Sequence, residues 1–330
     1  MTHAGRITIA TLSATALLIV LTARTLTSPE PLGPSGPSLA QRLGLPNGAR
    51  ALIVHADDAG ITHGVNQAVE TMFRTGSISS SSIIVPSAWF PEIAAIAHTH
   101  PQYDFGIHLA LTSEWQYLRW AGAASSDRIP SLLDPQGFLW VSEDLAAKHD
   151  RLDQVEVELR AQIERARQFG VPVTHLDTHM LALLETPDLA RIYVKLGRDY
   201  HLPIVIERQR EQEKNPPWLM SILQGTAYRV VFPTELDAPF PGPAGDLSRF
   251  PERYRQIIEN MKPEEVTEIL IHPGIGSEEL RAAIGNGSFG ASWRGTDYQT
   301  FSSPAMHDFL RQHNVHLVTW KQVQAALEPK

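Results

Sequence analysis

The chain has 330 residues, 43% of them hydrophobic, and its 36 acidic against 28 basic residues leave a formal net charge of -8. That length and apolar content suit one large buried core, and the acidic balance provides no basic stripe for a phosphate backbone, which excludes nucleic acid as a partner. No cysteine is present, so thiolate nucleophiles, cysteine zinc sites and disulfides are excluded together, and any metal must be held by histidine, carboxylate and water.

Behind Arg6, residues Ile7 to Ala23 form an uncharged, largely apolar run, the pattern of an export signal or a short membrane anchor. The run is short for a membrane span, which takes about 20 residues. Leu21-Thr22-Ala23 is a loose cleavage site, and without cysteine there is no lipoprotein attachment point. The stretch Ser28-Pro-Glu-Pro-Leu-Gly-Pro-Ser-Gly-Pro37 has a composition that cannot pack a core and reads as a tether. The expected organisation is a leader or anchor over 1–27, a linker over 28–44 and one folded domain over 45–330. The expected location is outside the cytoplasm, either periplasmic or extracellular, or tethered to the membrane by the N-terminus.

From there, short β-rich runs alternate with helical stretches, as in a parallel sheet covered by helices. Strands are expected near Ala51–His55, Ser82–Val85, Tyr103–His108, Val171–Asp177, Pro203–Ile206, Glu268–His272 and His316–Thr319. Helices are expected at Gly64–Thr75, Trp89–His98, Gln154–Phe169, Pro187–Tyr200, Pro251–Asn260 and Pro304–Gln312. The fold class is therefore α/β, a single (β/α) barrel of about seven parallel strands. Two long segments, Trp115–Trp140 and Glu207–Leu247, break the rhythm, and loops of that length in a compact domain are usually functional.

The polar residues at strand ends carry the chemistry. Asp57 and Asp58 end the first apolar run, His108 ends the third, His175, Asp177 and His179 close the fourth, and His272 ends the sixth. In a parallel barrel these ends lie on one face and converge on one pocket. Asp58, His108 and one histidine of the His175–His179 stretch supply two imidazoles and a carboxylate, enough for a divalent ion with positions open for water or substrate. His175, Asp177 and His179 share a face if the strand runs through all three. His272, before Pro273, is placed to act as a general acid or as a donor to an oxyanion. Two other signals carry no weight. Gly285-Asn-Gly-Ser-Phe-Gly290 spells a dinucleotide loop but follows helix-like Glu278–Ala283 rather than a strand. Ser77–Ser82 lacks a nucleophile elbow.

Taken in order, Leu52-Ile-Val-His-Ala-Asp-Asp-Ala-Gly60, Gly64-Val-Asn66, Gly106-Ile-His-Leu109, Thr174-His-Leu-Asp-Thr-His179 and Ile271-His-Pro-Gly274 resemble the YdjC-like carbohydrate deacetylases. That group contains chitooligosaccharide deacetylase and a hopanoid-biosynthesis deacetylase. The resemblance covers roughly Ala51 to Trp320. It implies a distorted β/α barrel related to polysaccharide deacetylases, one divalent metal ion (Mg2+ or Zn2+), and hydrolysis of the acetyl group from an N-acetylated amino sugar, so that the partner is an acetylated saccharide or glycoconjugate. Carried over residue by residue, it makes His108, His179 and Asp58 the metal ligands, Asp57 the base and His272 the second catalytic group. His175, Asp177, Glu114, Trp115 and Trp120 are the expected substrate contacts, the tryptophans because sugar rings stack on aromatic faces. Where chitooligosaccharide deacetylases tend to continue with further histidines, this chain reads His179-Met-Leu-Ala-Leu183, and Ser113-Glu114-Trp115 resembles an exported branch. The rival readings are a metal-dependent esterase or phosphoesterase and a non-catalytic, envelope-tethered carbohydrate-binding protein.

Overall fold

In the computed structural model of the chain, the described residues are 23–27, 39–206, 230–236, 246–263 and 266–327, with Trp218 and Ile222. The described residues form nine strands, and the apolar runs Arg50–Ala59, Phe105–Leu109, Val173–Thr178 and Val266–Ile271 among them are buried almost throughout. The strands are β1 (Ala23–Thr27), β2 (Arg50–Ala59), β3 (Ser80–Ile83), β4 (Phe105–Leu109), β5 (Val173–Thr178), β6 (Ile204–Val205), β7 (Val230–Leu236), β8 (Val266–Ile271) and β9 (Val315–Leu317).

They form one sheet in the order β3-β4-β5-β6-β7-β1-β8-β2-β9, with a further β3–β2 pairing. That pairing brings the sheet back onto itself. Along β2, Ala51–Ala56 pair with β8 on one edge. The other edge is shared, with β9 against Arg50–Leu52 and β3 against His55–Ala59. All pairings are parallel except those of β1, which lies antiparallel between β7 and β8.

All seven expected strands are present, and two more join them. Strand β7 falls inside Glu207–Leu247, which reads as a loop because Pro233 interrupts its apolar run. Proline cannot donate to a ladder and argues against a strand. Strand β1 lies in the stretch read as the end of a leader, and the helix Leu39–Arg42 lies in the stretch read as linker. Residues 1–22 and 28–38 are outside the described residues, as is most of 207–245. Among the described residues no helix is long and apolar enough to cross a membrane.

The six expected helices are found at His63–Thr75, Phe90–Thr99, Leu152–Gln168, Pro187–Tyr200, Phe250–Glu259 and Pro304–Gln312. The first is fixed at both ends. Thr62 accepts a hydrogen bond from the Val65 N–H, and Gly76 at φ 70° closes the C-terminus in the left-handed region. Its buried face, including Val65, Val69 and Met72, packs into the main apolar core. Trp115–Trp140 is irregular apart from a 3-10 turn at Pro130–Leu132 and bridges at Thr112–Trp140 and Leu133–Leu139.

Candidate active site

A regular strand would send Asp57 and Asp58 to opposite faces. Here the β2–β3 register shifts between Ala56 and Ala59, and Asp58 takes φ 65° in the left-handed region. This bulge turns both carboxylates toward one pocket. The chain beyond is pinned by Asn66, whose side-chain oxygen accepts the Gly60 N–H at 2.8 Å. Its amide donates to the Trp89 carbonyl and to Glu92.

Asp58 is buried, and its two oxygens have different surroundings. Oδ2 accepts a hydrogen bond from the buried guanidinium of Arg294 at 2.6 Å. Oδ1 has no hydrogen-bond partner and lies 3.5 Å from His108 Nε2 and 3.4 Å from His179 Nδ1. Ligand atoms of Asp58, His108 and His179 all lie within 4.8 Å of one another. The remaining nitrogen of each ring meets a carboxylate. His108 Nδ1 is 2.8 Å from Asp177 Oδ1, and His179 Nε2 is 3.1 Å from Glu114 Oε2. Metal-binding histidines are oriented in this way by outer carboxylates. An orphaned buried carboxylate oxygen facing two oriented imidazole nitrogens fits a divalent cation, so these three residues could hold one.

The electrostatics agree with the geometry. Burial alone would push the Asp58 carboxyl up, but Arg294 and the imidazoles of His179 and His272 hold it well below the usual carboxylate range. Burial would lower His179, yet Glu114 and Asp58 outweigh it and carry its pKa to about 10. His272 goes the other way. Burial pushes it down to about 4 against the pull of Asp58 and Asp57, so it is neutral at physiological pH. Its Nε2 lies 3.8 Å from both Asp57 Oδ2 and Asp58 Oδ2, and its backbone N–H is held by Asp297 at 2.9 Å. Asp57 stands beside the triad, with Oδ1 3.1 Å from His55 Nε2. Asp57, His108, Asp177 and Glu268 line a water-sized cavity beside it.

Of the residues expected to touch substrate, the structure gives Glu114 and Asp177 the outer contacts just described. His175 is fully buried. His175 and Asp177 both face His55, but successive inward residues of a strand are separated by roughly 7 Å along it, so His175 lies deeper. There it stacks on Trp320, and Gly106 is the residue that fits beside it: a Cβ at 106 would sit 2.3 Å from His175 Nε2. The strand ends at Thr178, and the chain turns at His179 with Met180 and Leu181 at positive φ. Trp120 is also buried, its indole N–H donating to the Thr112 carbonyl, and it supports half-buried Trp115 edge-on. Trp115 is therefore the more accessible member of the pair.

Arg294 and His55 are additions that the sequence reading did not make. Arg294 sits in the helix Ala291–Phe301, far from Asp58 in the chain, and nothing in its neighbourhood signals a role. His55 had a signal, as a histidine inside an otherwise apolar buried run.

The model of the YdjC-like protein family matches residues 51–312. A carbohydrate deacetylase of Thermus thermophilus is 32% identical over 293 residues, covering 88% of this chain and 99% of the relative. A carbohydrate deacetylase of Brevibacillus brevis is 28% identical over 275 residues, covering 82% and 99%. A crystal structure from Enterococcus faecalis, of a candidate cellobiose-phosphate cleavage protein, has the same fold, with a TM-score of 0.68 at 21% identity over 83% of this chain and 99% of that one. With a family match over residues 51–312 that takes in Asp57, Asp58, His108, His179 and His272, the chain belongs to the YdjC-like protein family.

Proposed function

We propose that this protein is a metal-dependent hydrolase that removes acetyl groups from N-acetylated amino sugars. Family membership and the relatives named carbohydrate deacetylases support the reaction class. The observation that carries the assignment to this site is the unpartnered Oδ1 of Asp58 facing His108 Nε2 and His179 Nδ1.

In this reading Asp58, His108 and His179 hold one divalent ion, zinc or magnesium, and two imidazoles beside one carboxylate lean toward zinc. Such an ion, when bound, supplies polarisation of the acetyl carbonyl and a lowered pKa for water. Asp57 takes the proton of the attacking water and passes it to the amine nitrogen as the C–N bond breaks. His272, kept neutral by burial, is suited to donate an N–H to the developing oxyanion rather than to store a proton. Asp177 and Glu114 fix the two ligand rings, and Arg294 fixes the other oxygen of Asp58. Trp115 offers a ring face to the sugar. Its place near the site, with its ring centroid 6.3 Å from that of His179, supports this role. The hydropathy of Ile7–Ala23 supports export or membrane anchoring as part of the same reading.

The test is His108→Ala and His179→Ala, purified and reloaded with metal. Both should lose stoichiometric metal and fall at least a hundredfold in acetate release. Full activity and metal content in both would refute the site assignment.

A further inference from the structure

Beneath the pocket, the barrel interior holds a second group of polar side chains centred on His55, which is fully buried. Its Nε2 lies 3.1 Å from Asp57 Oδ1, 3.2 Å from Asp177 Oδ2 and 3.1 Å from Ser82 Oγ. Two of these neighbours are carboxylate oxygens, which accept only, so Nε2 carries a proton. The other nitrogen, Nδ1, lies 3.0 Å from Ser80 Oγ. The Ser80 hydroxyl hydrogen is already given to Asp104 Oδ1 at 2.7 Å. Ser80 therefore presents a lone pair to Nδ1, and Glu268 Oε1 lies 3.6 Å from the same nitrogen. Both ring nitrogens face acceptors.

From this geometry we infer that His55 is a doubly protonated positioning residue, which ties Asp57 to Asp177 and so fixes the base and the orientation of His108 together. The inference rests on the reading of Asp57 as base and His108 as ligand. His55 reaches the base directly, and it reaches the metal site through one intermediary, because the other oxygen of Asp177 accepts from His108 Nδ1. One ring thus sets the spacing of two functions that belong to different strands, the base on β2 and, through Asp177 on β5, the ligand His108 on β4.

The surroundings of His55 favour the charged ring. Asp57 from its own strand, Asp177 from β5 and Glu268 from β8 face it, and Asp104 lies behind Ser80. Two other basic groups stand among the described residues of this cluster: His108, which shares Asp177, and His175, whose ring centroid is 5.1 Å away. Burial pushes His175 down to about 3, which leaves it neutral. Burial opposes charge on His55 as well, but hydrogen bonds to Asp177 and Asp57 raise it well above the ordinary imidazole value. Two anions brought within reach of one nitrogen repel each other unless a cation lies between them.

The experiment uses full-length protein labelled with 15N-histidine, loaded with zinc and recorded by long-range 1H–15N correlation at pH 8, with His55→Gln to assign the ring. The inference predicts an imidazolium pattern for His55, with both nitrogens protonated. A neutral ring with a bare Nδ1, as would follow if Asp104 were the protonated partner, overturns it. The kinetic arm is His55→Gln, expected to lower kcat about tenfold or more with KM within twofold of the parent and one zinc still bound. An unchanged kcat overturns the positioning role. If wild-type protein releases no acetate, the deacetylase reading fails, while the ring measurement still decides the protonation of His55.

Discussion

Replacing Asp177 by Asn tests the outer support of the proposed metal site without touching a ligand. Asp177 accepts on both oxygens, from His108 Nδ1 at 2.8 Å and toward His55 Nε2 at 3.2 Å. Asparagine has one carbonyl oxygen and one NH2 group, so whichever way it is turned, one imidazole N–H meets a donor. If the amide faces His108, the ring loses the partner that fixes its tautomer and leaves Nε2 free to bind metal. Outer-shell changes of this kind cost about 10- to 100-fold in metal affinity, or roughly 1.4–2.7 kcal/mol. If the amide faces His55, a buried N–H is left without an acceptor at a cost of about 1–3 kcal/mol in fold stability. The assay is competition for zinc with a chromophoric chelator, with thermal melting by circular dichroism alongside. Zinc affinity within twofold of wild type and an unchanged melting temperature would refute the reasoning.

Metal binding should release protons, because His179 with a pKa near 10 in the metal-free protein must give one up before it can ligate. Apparent affinity should rise by about tenfold per pH unit between roughly pH 7 and 9, and pH-independent binding measured by chelator competition would contradict this. The same shift has a stability consequence. A folded-state pKa raised from the ordinary 6.5 to about 10 gives stability that is complete below pH 6.5 and is lost as pH rises toward 10. Metal-free protein should therefore melt progressively earlier over that window. Asp150, whose carboxylate oxygens have no hydrogen-bond partner, is raised by burial to about 8. A carboxyl raised in the folded state binds more protons there than in the unfolded chain, so it costs stability as pH rises from about 4 to 8. Asp150→Asn should stabilise the protein by about 1–3 kcal/mol at pH 8, and less at pH 5, in denaturant titrations. Trp115→Ala should raise KM for a saccharide about five- to tenfold through loss of ring stacking, with kcat little changed. Trp120→Ala should instead lower thermal stability, since that ring is buried.

The strand ends were the most legible part of this protein. Asp57, Asp58, His108, His179 and His272 stand out because a charged or imidazole side chain closing an apolar run needs a partner or a function. The way two adjacent aspartates come to share a pocket was not legible, since it depends on a left-handed Asp58 inside a register shift, and side-chain alternation alone predicts the opposite. The same limit applies to depth: alternation places His175, Asp177 and His179 on one face, but it does not say that His175 lies sealed against Trp320. Arg294 meets Asp58 through tertiary packing of a helix whose sequence carries no motif. Strand β7 was concealed by Pro233, and β1 by the apolar run that precedes it. His55 was visible from the start as a polar residue in a buried strand, yet its meaning came only with the two carboxylates that flank its ring.

The central claim is a metal-dependent release of acetate from N-acetylated saccharides. It is tested most directly by stripping the protein of metal, adding back zinc, magnesium, manganese or cobalt one at a time, and measuring acetate from matched N-acetylated and O-acetylated sugars. The account predicts no release from stripped protein, restoration by at least one divalent ion, and turnover of the N-acetylated substrates. Release confined to O-acetyl esters, or saccharide binding without acetate under every metal, would contradict it.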